Sequence, residues 1–64
     1  MSEYKDTLAI LLKNKGISQR ELAKKSGLDE STISLYMSGT RTPNLKNHVK
    51  LCEALGVDIN FFTH

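Results

Sequence analysis

The sequence has few of the residues that cross-link a chain, restrict its backbone or fill a core with large rings: its 64 residues include one cysteine, one proline and no tryptophan. A single cysteine, Cys52, cannot form an intramolecular disulfide, so we expect a reducing compartment rather than a disulfide-stapled secreted domain. The other candidate metal ligands, His48 and His64, lack the paired spacing of a structural zinc site. We therefore expect no metal.

Long apolar runs are also missing. The longest run, LAILL at 8–12, has five residues, whereas a helix that spans a bilayer needs about 20. The first residues, MSEYKDT, lack the pattern of a signal peptide. We therefore expect a cytoplasmic protein with no membrane partner.

The length of the chain limits the classes of function. A domain of 64 residues buries only ~60% of the surface that its unfolded chain exposes, which leaves little core for a catalytic cleft. No Ser-His-Asp pattern, phosphate loop or pair of carboxylates in a cleft can be assembled from the sequence. We therefore expect one domain over 1–64 that is not an enzyme and needs no cofactor or small-molecule ligand. The net charge of +2 and the pI of about 8.9 permit a nucleic-acid partner without establishing one.

Three glycine triplets organise the chain: Gly-Ile-Ser at 16–18, Gly-Leu-Asp at 27–29 and Gly-Val-Asp at 56–58. Glycine ends a helix in the left-handed conformation, and Ser or Asp then caps the next helix. The apolar residue between them packs against the fourth residue of the new helix and against the end of the previous one. Ser18 also has Glu21 three residues later, which predicts a capping box.

These signals predict five helices and no strand, because no segment alternates as a strand does. Pro43 prevents the third helix from continuing, and Asn44 is the expected cap of the fourth. Apolar stripes on the first and fourth helices are expected to supply the core. The stripe on the first helix consists of Tyr4, Leu8, Leu11 and Leu12, and the stripe on the fourth consists of Leu45, Val49, Leu51, Cys52 and Leu55. The five predicted helices cover about 4–15, 18–26, 29–38, 44–55 and 58–63.

The third predicted helix has an outer face made of small side chains. If Ile33 points inward, an advance of about 100° per residue places Ser31, Leu35 and Ser38 on the opposite side, with Ser34 beside them. This face is short and uncharged, unlike the Glu- and Lys-rich face of a solvated helix. Such a helix fits a DNA major groove, which is about 12 Å wide.

The segment ISQRELAKKSGLDESTISLYMSG at 17–39 resembles the helix-turn-helix of the lambda-repressor-like, Cro/cI-type (Xre) regulators, and the continuation to 62 is similar to the last helices of that family. The resemblance implies a compact all-α, five-helix domain whose motif covers about 18–38. It also implies a sequence-specific regulator of transcription, a repressor, that binds double-stranded DNA. Two features depart from the family pattern: Ser26 replaces an apolar residue, and Met37-Ser38 replaces a Glu-Asn or Glu-Ser pair.

The resemblance also assigns DNA-binding roles. Glu30 is explained either as a base contact or as an acid that favours a helix N-terminus. Leu35 either contacts a thymine methyl, packs on the fourth helix or simply lies exposed, and Thr32 bonds either a phosphate or the backbone of its own helix. Lys46 either binds phosphate or is an ordinary surface lysine, and Asp29 serves as the cap alone. Base contacts are expected from Glu30, Ser31, Ser34 and Leu35, and phosphate contacts from Gln19, Thr32, Ser38, Thr40, Arg41, Asn44 and Lys46.

The last predicted helix raises the question of oligomeric state. Ile59 and Phe62 have core spacing, and Phe61 either joins two copies, as the resemblance implies, or completes the core of the monomer. A homodimer would bind an operator with two-fold symmetry. His48 is expected at the surface. A second function also fits the sequence: a protein-interaction module of the same fold, an antitoxin or adaptor, because the third helix lacks Lys and Arg.

Overall fold

The computed structural model describes residues 3–62, which form four α-helices and no strand. Helices α1 and α2 pack against α3, and α2 also packs against α4. The prediction of an all-α fold is therefore confirmed, but the prediction of five helices is wrong. The helices are α1 (Tyr4–Lys15), α2 (Gln19–Ser26), α3 (Glu30–Ser38) and α4 (Leu45–Leu55).

The predicted junction between α1 and α2 is present in detail. The Ile17 N–H donates to the carbonyl oxygen of Leu12 at 3.1 Å, which closes the end of α1. The Glu21 N–H donates to Ser18 Oγ at 3.1 Å, and the Ser18 N–H donates to Glu21 Oε1 at 3.3 Å. This reciprocal pair is the predicted capping box.

The turn between α2 and α3 is tied by Ser26, one of the two departures from the family pattern. Ser26 is buried, and its hydroxyl donates to the Ala23 carbonyl oxygen while accepting from the Leu28 N–H, both at 3.3 Å. Gly27 has a φ of +77°, which only glycine adopts without strain. Asp29 occupies the capping position of α3 but makes no side-chain capping hydrogen bond, so its predicted role is wrong in that respect.

The core lies where the four helices meet, and it contains most of the predicted apolar stripes. Leu45 is an exception, since it is 72% exposed. It is the first residue of α4, about 10 Å along the helix axis from Cys52, and therefore lies beyond the end of the core. The buried core residues are Leu8, Leu11, Leu12, Leu22, Ala23, Ile33, Tyr36, Leu51, Cys52 and Leu55.

The predicted fifth helix is replaced by turns over residues 59–62, and its last predicted residue lies outside the described part of the chain. The Asn60 N–H donates to Asp58 Oδ1 at 2.7 Å, and the Phe61 N–H donates to the Asp58 carbonyl oxygen at 2.9 Å. A segment this short gains too few backbone hydrogen bonds to offset helix nucleation. Ile59 is 44% exposed and is not the core residue that we expected.

The histidine expected at the surface instead connects three parts of the fold. His48 is half-buried, and its Nε2 lies 2.6 Å from the carbonyl oxygen of Ile59. A carbonyl oxygen only accepts, so Nε2 carries the proton, and in the neutral ring Nδ1 accepts from the Tyr4 hydroxyl at 2.7 Å. Tyr4 also stacks on Phe62 with ring centroids 4.3 Å apart. This cluster, rather than a helix, holds residues 58–62 in place.

Tyr4 should make the fold sensitive to alkali. Burial raises the pKa of its hydroxyl, with smaller contributions from Cys52 and Tyr36. Below a pH of about 10 the Tyr4 hydroxyl is neutral in both the folded and the unfolded state. Above this pH the unfolded chain loses the Tyr4 proton first. The free energy of unfolding therefore falls as the pH rises towards the pKa of Tyr4 in the folded state. We expect Tyr4→Phe to be less stable at pH 7 by about 1 kcal/mol, because one hydrogen bond is lost.

The pH dependence distinguishes this effect from a simple loss of a contact. The pKa of the Cys52 thiol is also raised, by burial and then by Asp58, so an alkaline loss of stability that arises from Cys52 remains in the variant. Urea unfolding between pH 7 and 11 should therefore show a shallower alkaline loss in Tyr4→Phe than in the wild type. The two slopes of unfolding free energy against pH should differ by less than about 1.4 kcal/mol per pH unit, which is the limit for the loss of one proton. The difference stays below this limit because the ring of Tyr4 is partly exposed. Parallel curves would contradict the prediction.

Within residues 3–62, no helix has the length and apolar character that crossing a membrane requires.

Candidate nucleic-acid interface

The outer face of α3 consists of the side chains that the helical angles placed there. Ser31 and Ser34 are exposed, and Leu35 is 38% exposed. On the opposite side, Ile33 is fully buried and Tyr36 is 5% exposed. The small, uncharged face therefore points away from the core, and Leu35 is not packed inside the domain.

The orientation of α3 is fixed from its buried side. Ile33 and Tyr36 belong to the core cluster, and Met37 packs against it. The Tyr36 hydroxyl accepts a hydrogen bond from Asn47 Nδ2 at 2.9 Å, which ties α3 to the first turn of α4. Rotation of α3 about its axis would expose Ile33 and break this bond, so the serine face is held outward.

The start of α3 combines charges of both signs. Glu30 is exposed in the first turn, where an acid favours the helix N-terminus whether or not DNA is bound. It lines an open cleft of about 410 Å³ between α2 and α3, together with Asp29, Arg20 and Lys24. Thr32 is half-buried. Both explanations of Glu30, as a base contact and as a helix-start acid, remain compatible with this position.

The residues after α3 form a hydrogen-bonded corner. The Thr40 and Arg41 N–H groups donate to the Leu35 carbonyl oxygen at 3.1 and 3.2 Å. Ser38 Oγ donates to the same oxygen at 3.0 Å and lies 2.8 Å from Thr40 Oγ1. Since Ser38 gives its proton to Leu35, Thr40 donates to Ser38. Neither hydroxyl retains a proton for a phosphate while these bonds persist, which weakens both as candidate phosphate ligands.

Three of the other predicted phosphate ligands, Gln19, Asn44 and Lys46, are exposed and lie outside this corner. Gln19 is the first residue of α2, and Lys46 lies in the first turn of α4. Asn44 Oδ1 accepts from the Asn47 N–H at 2.9 Å, as the predicted cap does, so its amide NH₂ group is the part left to donate. Arg41 is exposed, and its backbone is held by Leu35.

One cation near the interface was missed by sequence reasoning. The side chain of Lys5, from α1, crosses Gly39 at the end of α3 and reaches the cleft that Arg41 lines. A weak signal was available, because Lys5 lies in the first turn of its helix, where a cation opposes the helix dipole. Nothing in the local sequence links it to Gly39.

The predicted dimer residue is available at the surface. Phe61 is 47% exposed, with its ring centroid 6.0 Å from that of Phe62. It therefore does not complete the core of the monomer. Ile59, two residues earlier, is also exposed, as is Leu45 at the start of α4.

Comparisons with known proteins identify a family for this chain. A family model described as helix-turn-helix matches residues 8–62. The chain is 37% identical over 41 residues to the replication factor C small subunit of Thermococcus kodakarensis and 39% identical over 41 residues to that of Methanocaldococcus jannaschii. Each match covers 64% of this chain but only 5% and 2% of the respective relatives. No solved structure matches the chain significantly.

Proposed function

Because the chain belongs to the Cro/cI-type (Xre) helix-turn-helix family, whose model covers most of its length, we propose that it is a sequence-specific regulator of transcription that represses by placing α3 in the major groove of an operator. The observation that carries this proposal is the outward serine face of α3. A groove about 12 Å wide admits a helix, and small side chains let its backbone approach the base edges closely.

The proposed roles divide the interface into two kinds of contact. Ser31, Ser34 and Leu35 contact bases, with Glu30 accepting from cytosine or excluding other sites. Arg41 and Gln19 bind phosphates, which position the protein without selecting a sequence. Asn44 and Lys46 extend the phosphate contacts along the start of α4. Thr32, Ser38 and Thr40 are weaker candidates, since Thr32 is half-buried and the other two hydroxyls are bonded to each other.

Two substitutions separate these kinds of contact. We expect Arg41→Ala to weaken binding to all duplexes about equally and to reduce the log–log salt slope by about 0.9, the value for one phosphate. We expect Leu35→Ala to change which sequences are preferred, with a loss of about 1–3 kcal/mol at the affected base pair. Selection of duplexes from a random pool by each variant, followed by salt titration, measures both effects.

The same selection tests the proposal as a whole. A sequence-specific regulator enriches one motif, and a homodimer that forms through Phe61 enriches a palindrome. An unchanged motif with Leu35→Ala would show that α3 does not lie in the groove as proposed. Absence of duplex binding by the wild type at low salt would reject the proposed function.

A second candidate function has its own support. The α3 face carries no Lys or Arg, and Phe61, Ile59 and Leu45 are exposed apolar residues that are available to a partner chain. A protein-interaction module, an antitoxin or adaptor of the same fold, would bind a partner chain with weak or no DNA binding. The salt titration distinguishes the two, because only binding to phosphates gives a steep slope. The cytoplasmic location expected from the sequence remains a prediction.

A further inference from the structure

The side chain of Lys5 lies flat against the backbone at the end of α3. A β-carbon placed on Gly39 would be 2.7 Å from Lys5 Cδ and 3.2 Å from Cε, so the lysine stem occupies the space that any other side chain would need. Lys5 is accordingly half-buried despite its charge. Its ammonium group, one bond beyond Cε, is therefore held beside the loop that follows α3.

This placement brings Lys5 and Arg41 to one cleft. The cleft has a volume of about 270 Å³ and separates the start of α1 from the loop 39–42. It contains two cations and one carboxylate, that of Glu3, so its net charge is positive. The Arg41 backbone is fixed by its bond to the Leu35 carbonyl oxygen. The lining residues are Glu3, Tyr4, Lys5, Tyr36, Gly39, Arg41 and Thr42.

A purely structural role for Lys5 must be considered beside a binding role. Helix α3 has no basic residue in its last turn, and a cation near the C-terminus of a helix stabilises it by about 0.3–1 kcal/mol. Lys5 could supply that cation from α1. This role affects stability but does not change how DNA affinity depends on salt, so the two roles are separable.

We propose that Lys5 is a phosphate-binding residue that works with Arg41, and that the two cations hold the DNA backbone at the C-terminal end of α3. The inference rests on the proposed function. It adds a contact from α1, outside the helix-turn-helix motif. Glu3 at the same cleft opposes this contact.

The test compares Lys5→Gln with Lys13→Gln, which removes the same charge near the other end of α1, about 12 Å along the helix axis. Affinity for the selected duplex is measured between 50 and 300 mM salt, about where phosphate contacts dominate the response. Lys5→Gln should lower the salt slope by about 0.9 and weaken binding roughly fivefold at about 0.15 M salt. Lys13→Gln should keep the wild-type slope, and Glu3→Gln should strengthen binding.

The outcomes distinguish the inference from the function on which it rests. If the wild type shows no salt-dependent binding, the proposed function fails. If the wild type binds steeply but Lys5→Gln and Lys13→Gln have equal slopes, the Lys5 inference is overturned and the function stands. A lower melting temperature for Lys5→Gln with an unchanged slope assigns Lys5 to the stability of α3 alone and also overturns the inference.

Discussion

Replacing Ile33 by alanine is expected to lower the free energy of unfolding by about 2–5 kcal/mol, the usual range when a buried isoleucine is truncated to alanine and leaves a cavity. Ile33 is fully buried in the core cluster, to which all four helices contribute. A domain of this size has only about 3–10 kcal/mol in total. The loss should lower the melting temperature by about 10 °C or more, as measured by circular dichroism at 222 nm.

Leu35→Ala is the matched control for this prediction. It removes an apolar side chain from the same helix, but from the exposed face, so its stability should stay within about 1 kcal/mol of the wild type. The control also shows that any change in DNA preference by Leu35→Ala arises in a folded protein. Similar melting temperatures for Ile33→Ala and the wild type would show that α3 is not oriented as described.

Replacing Ser34 by glutamate is expected to abolish specific DNA binding while leaving the fold intact. Ser34 is exposed in the middle of α3, and glutamate is a good helix former. A carboxylate at this position would face phosphates and base acceptors, and such like-charge contacts cost several kcal/mol, so affinity should fall by a factor of about 100 or more. A fluorescence-anisotropy titration of the selected duplex measures the loss.

The control for Ser34→Glu is Asn14→Glu, which makes the same change in net charge at an exposed position of α1. Asn14 lies nine residues after Lys5, and at about 100° per residue it points to the opposite side of α1. Its effect on affinity should be small and should disappear at higher salt. Equal losses in the two variants would mean that net charge, rather than the α3 face, controls binding.

The boundaries of the helices were predictable because their signals are local. The Gly-Ile-Ser triplet at 16–18 predicts the end of α1 and, together with Glu21, the capping box of α2, and the structure has both. The Gly-Val-Asp triplet at 56–58 predicted the end of α4 equally well. It also predicted a further helix after Asp58, which does not form because the segment is too short to offset helix nucleation. The contact of His48 with the Ile59 carbonyl oxygen was not predictable, because His48 is distant in sequence.

The candidate site shows the same division between local and distant information. Counting angles from Ile33 placed the serine face of α3 correctly, since a helix has a fixed period. Lys5 was missed because its position depends on Gly39, a residue 34 places later. The bonds between Ser38 and Thr40 were also missed, although both residues were recognised as candidates. Sequence reasoning thus located the surface but could not show which of its groups are already engaged.

The stacking of Tyr4 on Phe62 means that the polypeptide enters and leaves the bundle at neighbouring points. A module with this geometry can be spliced into an exposed loop of a larger host, because the host needs to open by only a short gap and loses little loop-closure entropy.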